Sequence, residues 1–269
     1  MFLPIGYYNN DFLPIQDIKL SVLDLSIQRG YGVFDFFKLV DLKNPWSDWY
    51  FDRLSKSCSL SGLSLPEDRT VILEKAKKLL NQNGLTSGYI KILVTGGPSH
   101  NGFIPSDAPS LIMIGLPLNI RNENHYKKGV SLLTCNYQRD IPQIKSINYL
   151  NSLRFLREGN VEYVDLLYYR NGEITETSRC NVFIVKNQEL FTPALNILEG
   201  ITRKRVLKHS SIKIHVGPVS LQSAIDADEV FITSTTKGAM PVTRIDENVI
   251  GDGKVGKVSM KISNLIDQF

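Results

Sequence analysis

The 269 residues predict an α/β (α+β) protein of two domains. Three observations carry that reading. Short aromatic and β-branched runs alternate with segments of helical period along the whole chain. A polar stretch, "NIRNENHYKKG" at 119–129, interrupts the alternation once and is read as a linker. The part after it holds two hairpin signals. The boundaries that follow are a smaller N-terminal domain over 1–118, the linker, and a larger domain over 130–269.

In order, "YGVFDFFKLV" is a strand by composition. "SDWYFDRLSKSCSLSGL" reads as a helix with Ser47 as N-cap and Gly62 near its end. "PEDRTVILEKAKKLLNQNG" is a helix with Val71, Ile72, Leu79 and Leu80 on one face and Gly84 as its stop. "GYIKILVT" and "SLIMIGLPL" read as buried strands, and "VSLLTCNYQ" opens the second part as another. A helix follows Lys145, with Ile147, Leu150, Leu153 and Leu156 in register and Gly159 as its end. Hairpin turns are expected at Asn171-Gly172 and Asn187-Gln188. "LEGITRKRVLKHS" reads as a loop feeding a helix. "DEVFITSTTKGAMPVTRID" reads as strand, polar turn, strand. The last helix carries Val255, Val258, Ile262 and Leu265 on one face.

Composition excludes several classes. At 42% hydrophobic and 22% charged, the chain has ample material for a core. Its formal charge of +4 comes from scattered basic residues, so no nucleic-acid surface is expected. Three cysteines, Cys58, Cys135 and Cys180, are too few and too far apart for a disulfide framework. No zinc-like spacing occurs, so no metal is expected. The N-terminus lacks a signal-peptide pattern, and no apolar run reaches membrane length. A cytoplasmic location follows as the expectation.

The chemistry-bearing residues are few. "GDGKVGK", Gly251 to Lys257, has phosphate-loop spacing but is followed by Val258, where magnesium needs a hydroxyl. It is read as a Gly-rich turn. In "IPQIKSINYL" Lys145 sits in an apolar setting, which costs an ammonium its water. Its alternative is a surface lysine. Glu176, between two strand patterns, needs a cation or proton donor if buried. Gly200, Ile201 and Thr202 open a helix whose free amides suit a phosphate. "STT", Ser234 to Thr236, adds hydroxyls on a turn. Taken singly, each has a bland reading. Taken in order, they are the parts a pyridoxal phosphate enzyme needs: an amine for the aldehyde, a carboxylate for the pyridine nitrogen and donors for the phosphate.

With those residues stand "RGYGVFDFFKL", "FDRL", "IKSINYLNSL", "ITETSRCNVF", "LEGITR" and "FITSTT". The ordered set resembles the class IV aminotransferases. That pyridoxal phosphate family includes branched-chain aminotransferase, D-amino acid aminotransferase and 4-amino-4-deoxychorismate lyase. The resemblance covers essentially the whole chain. It implies two domains with the cofactor between them, usually in a homodimer. It implies that Lys145 is the Schiff-base lysine and that Arg53 binds the phosphate with Gly200, Ile201 and Thr202. Tyr149 would reach the cofactor's phenolic oxygen, and Glu176 the pyridine nitrogen. Thr235 and Thr236 would contact phosphate or substrate carboxylate.

The substrate side departs from the relatives. They place an arginine in or near the loop matching "TGGPSHNGF", Thr95 to Phe103; here it holds His100 and Asn101. The lyases carry a small hydroxyl residue near Phe36. Phe34 and Phe36 instead suggest an apolar pocket. Arg179 has two readings, a carboxylate contact or a surface charge, and His100 or Arg179 would substitute for the missing arginine. The favoured function is amino transfer between a hydrophobic amino acid and a 2-oxo acid. The alternatives are the lyase and D-amino acid transamination. A non-catalytic binding protein and a nucleotide enzyme using Gly251 to Lys257 rank lower.

Overall fold

The computed structural model describes residues 3–118, 121–157 and 163–267. The chain divides into two compact units. The first comprises Met1–Ile120 with Ile144–Asn148, the second Arg121–Gln143 with Tyr149–Phe269.

The first unit is built on a five-stranded antiparallel sheet. Its strands are β1 (Ile5–Tyr8), β2 (Asp11–Pro14), β3 (Gly32–Leu39), β4 (Gly88–Thr95) and β5 (Ser110–Leu116), in the order β2-β1-β5-β4-β3. Period-2 alternation divides β3 cleanly. Val33, Asp35, Phe37 and Leu39 are buried, whereas Phe34, Phe36 and Lys38 are half-buried. The buried face meets helix α2 (Ser47–Leu60), where Phe37 packs on Tyr50 and Phe51. Helix α3 (Arg69–Gln82) adds Ile72, Ala76, Leu79 and Leu80, all fully buried, while Val71 is exposed. A short helix, α1 (Leu25–Arg29), is capped by Asp24, whose carboxylate accepts from Ser26 N–H. Ser47 is the first residue of α2 rather than its cap; Trp46 occupies that position. The Asn44 side chain, accepting from Trp46 N–H at 2.7 Å, makes the entry turn instead.

The second unit carries β6 (Val130–Asn136), β7 (Asp165–Arg170), β8 (Glu173–Thr177), β9 (Asn181–Lys186), β10 (Glu189–Pro193), β11 (Ile214–Gly217), β12 (Glu229–Ser234), β13 (Gly238–Ile245) and β14 (Asn248–Val249). Their order is β11-β10-β9-β12-β13-β6-β7-β8, with β14 on β13. β8 also pairs with β9, at Glu176 and Asn181. That pairing closes β9, β12, β13, β6, β7 and β8 into a ring. Asn171-Gly172 and Asn187-Gln188 turn the hairpins with positive φ at both residues, as the twist of a two-residue connection requires. The helices are α4 (Glu123–Lys128), α5 (Leu150–Arg157), α6 (Ile201–His209), α7 (Leu221–Ile225) and α8 (Lys257–Asp267). α6 and α8 cover one sheet face, where Phe183 stacks on Phe231 with centroids 5.0 Å apart, next to Val206, Ile262 and Ile266.

Three expectations shift. The linker segment contains α4, capped by Asn122. The segment around Lys145 groups with the first unit rather than the second. The helix after it begins at Leu150, because Ile147 is engaged in strand-like pairing with β3. Gly159 and the Leu156 side chain lie outside the described residues.

The "GDGKVGK" turn precedes α8, and its helix start is filled from within. Glu229 accepts from Val258 N–H at 3.0 Å, Ser259 N–H at 2.7 Å and Ser259 Oγ at 2.7 Å. A Cβ at Gly256 would collide with that carboxylate, so the motif serves a helix cap and not a phosphate. Glu229→Ala should free these donors. We expect the Val258 and Ser259 amides to exchange with solvent roughly thirtyfold faster, equivalent to about 2 kcal/mol, by hydrogen-exchange mass spectrometry.

Candidate active site

The candidate residues fall into one group in each unit. In the first, Lys145 is fixed through its backbone. The edge strand β3 takes the Ile144–Asn148 segment as an added pairing partner. Phe34 N–H donates to Lys145 C=O at 2.9 Å, Ile147 N–H donates to Gly32 C=O at 3.1 Å, and Val33 and Ser146 form an antiparallel bridge. Lys145 N–H donates to Ser57 Oγ of α2 at 3.1 Å. The half-buried side chain then carries its ammonium over the Phe34 ring, 4.5 Å from the centroid. Phe36, on the same sheet face, stacks on Tyr89 at 5.2 Å.

Arg53 lies on the opposite face of β3, nine-tenths buried. Its Nε and Nη2 donate to the two oxygens of Asp35 at 2.9 and 2.7 Å. This fork-on-carboxylate geometry fixes the guanidinium plane. The sequence reading does not single out Asp35, although a carboxylate in "GVFDFFKL" on the apolar face is itself a signal. Lys91, a cation inside the buried pattern "GYIKILVT", escapes it in the same way. His100 is exposed, in a loop tied down by Ser99 and Asn101.

In the second unit Glu176 is buried at the closing pair of the ring. Its Oε1 accepts from Arg139 Nε at 2.7 Å, and its Oε2 accepts from Leu198 N–H at 2.9 Å. Asn181, its pairing partner, donates through Nδ2 to Leu198 C=O at 2.7 Å. The Leu198 residue is therefore held at its amide and its carbonyl by the same strand pair. Gly200 follows, and a Cβ there would collide with Asn181 Oδ1. Gly200 is the N-cap of α6 and supplies no side-chain cap bond, unlike Asp24, Asp68, Asn122 and Ser220 at α1, α3, α4 and α7. Ile201 and Thr202 in the first turn are buried. Thr233 on β12 is a buried hydroxyl with no hydrogen-bond partner among the described residues, and it pairs across the sheet with Asn181. Thr235 and Thr236 occupy the turn after β12. Tyr149 is half-buried and its carbonyl accepts from Leu153 N–H at the start of α5.

Arg179 is committed elsewhere. Its Nε donates to the buried Asp165 at 3.3 Å and its Nη2 to Val164 C=O at 3.0 Å. Among the described residues there is no cluster suited to a metal, and no helix long and apolar enough to cross a membrane.

Removing Arg139 would leave a buried carboxylate without its cation. We expect Arg139→Ala to cost about 3–5 kcal/mol, and Arg139→Ala with Glu176→Gln to regain most of it. Thermal unfolding of the cofactor-free variants measures both; a double variant no more stable than the single one would contradict the pairing energetics.

Comparisons with known proteins agree in kind. The model of amino-transferase class IV matches residues 32–245. A Methanocaldococcus jannaschii protein assigned by name as a branched-chain-amino-acid aminotransferase is 32% identical, over 95% of this chain and 93% of its own. D-alanine aminotransferase of Listeria monocytogenes is 29% identical, over 94% and 92%. Among solved structures, the T.th. branched-chain amino acid aminotransferase with pyridoxamine 5'-phosphate aligns at TM-score 0.88, covering 99% of this chain and 93% of that one, at 22% identity. A Legionella pneumophila structure bearing the name 4-amino-4-deoxychorismate lyase aligns at 0.84, covering 94% and 96%, at 25% identity. The chain belongs to the class IV aminotransferase family.

Proposed function

We propose that the protein is a pyridoxal 5'-phosphate-dependent aminotransferase moving an amino group between a hydrophobic, branched-chain amino acid and a 2-oxo acid. The observation that carries this reading is the buried Glu176 carboxylate, charge-balanced by Arg139 and fastened to the turn that opens α6. A paired carboxylate of this kind accepts from a ring N–H without changing its own charge.

The residues fit the cofactor. The uncapped first turn of α6 leaves amide donors for a dianion, and the orphaned Thr233 hydroxyl is a further donor beside Asn181. Gly200, Ile201 and Thr202 would hold the phosphate, with Arg53 adding charge and Thr235 and Thr236 adding turn donors. Tyr149 would donate to the phenolic oxygen. When bound, the cofactor supplies an aldehyde and an electron-withdrawing ring that stabilises negative charge at a substrate Cα. Lys145 would supply the amine for that aldehyde and, once the substrate's amine has displaced it, would take and return the proton at the substrate Cα as a free amine. Phe34 and Phe36 present half-buried aromatic surface to an apolar side chain, whose burial contributes about 25 cal/mol per Å².

The D-alanine aminotransferase relative and the lyase-named structure support two alternatives, D-amino acid transamination and pyruvate elimination from aminodeoxychorismate. We place the enzyme in the cytoplasm as a homodimer. Its exposed Val22, Leu23, Ile27, Phe103 and Ile104 offer the first unit an apolar surface for a second copy.

Borohydride reduction of the loaded protein should fix a pyridoxyl group on the Lys145 peptide; a label on another lysine ends the assignment. Glu176→Gln should retain the cofactor and lose at least ~100-fold in turnover, the low end for groups that act in proton-transfer chemistry. For the substrate, L-leucine, L-valine, D-alanine and aminodeoxychorismate are mixed separately with holoenzyme. Formation of the pyridoxamine form with the L-amino acids supports the reading. Reaction with D-alanine alone, or 4-aminobenzoate release alone, selects the corresponding alternative.

A further inference from the structure

Two lysines share one aromatic ring in the first unit. Lys145 Nζ lies 4.5 Å from the Phe34 centroid, and Lys91 Nζ lies 5.1 Å from the same centroid. The ammonium groups are thus separated by no more than those two distances laid end to end. Lys91 stands on β4 directly opposite Phe36, on the sheet face that Phe34 and Phe36 share. It is half-buried and pairs with no carboxylate among the described residues. Burial pushes its own pKa below the ordinary lysine value. The pair of cations is stabilised by the ring quadrupole, but the cations repel one another.

β3 and α2 pack against the Lys145 segment. β3 contributes the Phe34 ring and Asp35, and the Asp35 carboxylate is taken by Arg53 of α2 on the far face. α2 contributes the Ser57 hydroxyl, which is neutral and accepts from the Lys145 backbone amide in the bond described above. A lysine with open water around it would lose nothing by staying protonated. Lys145 is instead set beside a second fixed positive charge.

We propose that Lys91 is a positioning residue that acts on Lys145 through charge: its ammonium disfavours a second ammonium at the same ring and shifts the Lys145 amine toward its unprotonated, nucleophilic form at neutral pH. The displaced proton goes to solvent. The inference gives Lys91 a purpose that rests on the proposed role of Lys145, and it concerns a proton equilibrium present before any cofactor binds. Like charges at this separation, in an effective dielectric near that of a protein surface, displace a titration midpoint by about one pH unit.

The test is a titration of Lys145 in the full chain, treated with hydroxylamine to release any aldehyde held on the lysine and then dialysed free of small molecules. Trace acetic anhydride is added across a pH series, and acetylation of the Lys145 peptide is quantified by mass spectrometry against exposed Lys19 in the same digest. Lys91→Met and Lys91→Gln should raise the Lys145 midpoint by about one pH unit, while Lys91→Arg should leave it in place. Either neutral variant suffices if the other fails to fold. An unchanged midpoint in the neutral variants overturns the proposal. So does an equal rise in Lys91→Arg, which would trace the effect to packing. Because no pyridoxal phosphate is present, the titration and the borohydride labelling fail independently.

Discussion

Closure of the second unit's sheet at Glu176 and Asn181 is the constraint on which the proposed site in that unit depends. A ring of strands must meet somewhere, and the meeting pair here consists of two buried polar residues. Burial makes each of them costly unless satisfied. Glu176 is satisfied by Arg139 and the Leu198 amide, Asn181 by the Leu198 carbonyl. One turn thereby inherits its conformation from the strand closure. The same turn delivers Gly200 and the first turn of α6, which has no side-chain cap bond at its N-cap. The two features expected to serve opposite ends of a cofactor are thus set by one set of hydrogen bonds.

In the first unit the corresponding device is a borrowed strand edge. β3 ends its sheet, and an exposed edge carries unspent donors and acceptors. The Lys145 segment uses them, so the backbone of the lysine is held while its side chain extends over Phe34. On the other face of the same strand, Asp35 orients Arg53. A single eight-residue strand therefore positions a lysine, an arginine and two aromatic rings on faces fixed by alternation alone.

Period and turn chemistry make the main elements legible in the sequence. β3, α3 and both hairpins lie where the apolar pattern and the Asn-containing turns put them, since those signals are local. The N-terminal hairpin is not legible, because "IGYYNNDFLP" is two four-residue strands with too few repeats to show a period. Lys145, Glu176 and Gly200 stand out through the chemistry their residue types permit. Asp35, Arg139 and Asn181 do not, because each matters only through a partner 17 to 37 positions away in sequence. Arg179 has a partner of the same kind: its Nε donates to Asp165, 14 positions away, a pairing its sequence neighbours do not announce.

The assignment of Ile144–Asn148 to the first unit also bears on how the chain is made. A nascent polypeptide emerges from the ribosome N-terminus first. By the time Asn148 is outside, Arg121–Gln143 of the second unit has already emerged. The first unit cannot cover its β3 edge until then, so its last strand-like piece arrives after part of the other unit. Severing the gene between the units would strand the lysine on the wrong fragment. The proposed catalytic amine is in this sense a join between two stretches of translation, and a cut at residue 120 would leave the first of them with an open sheet edge.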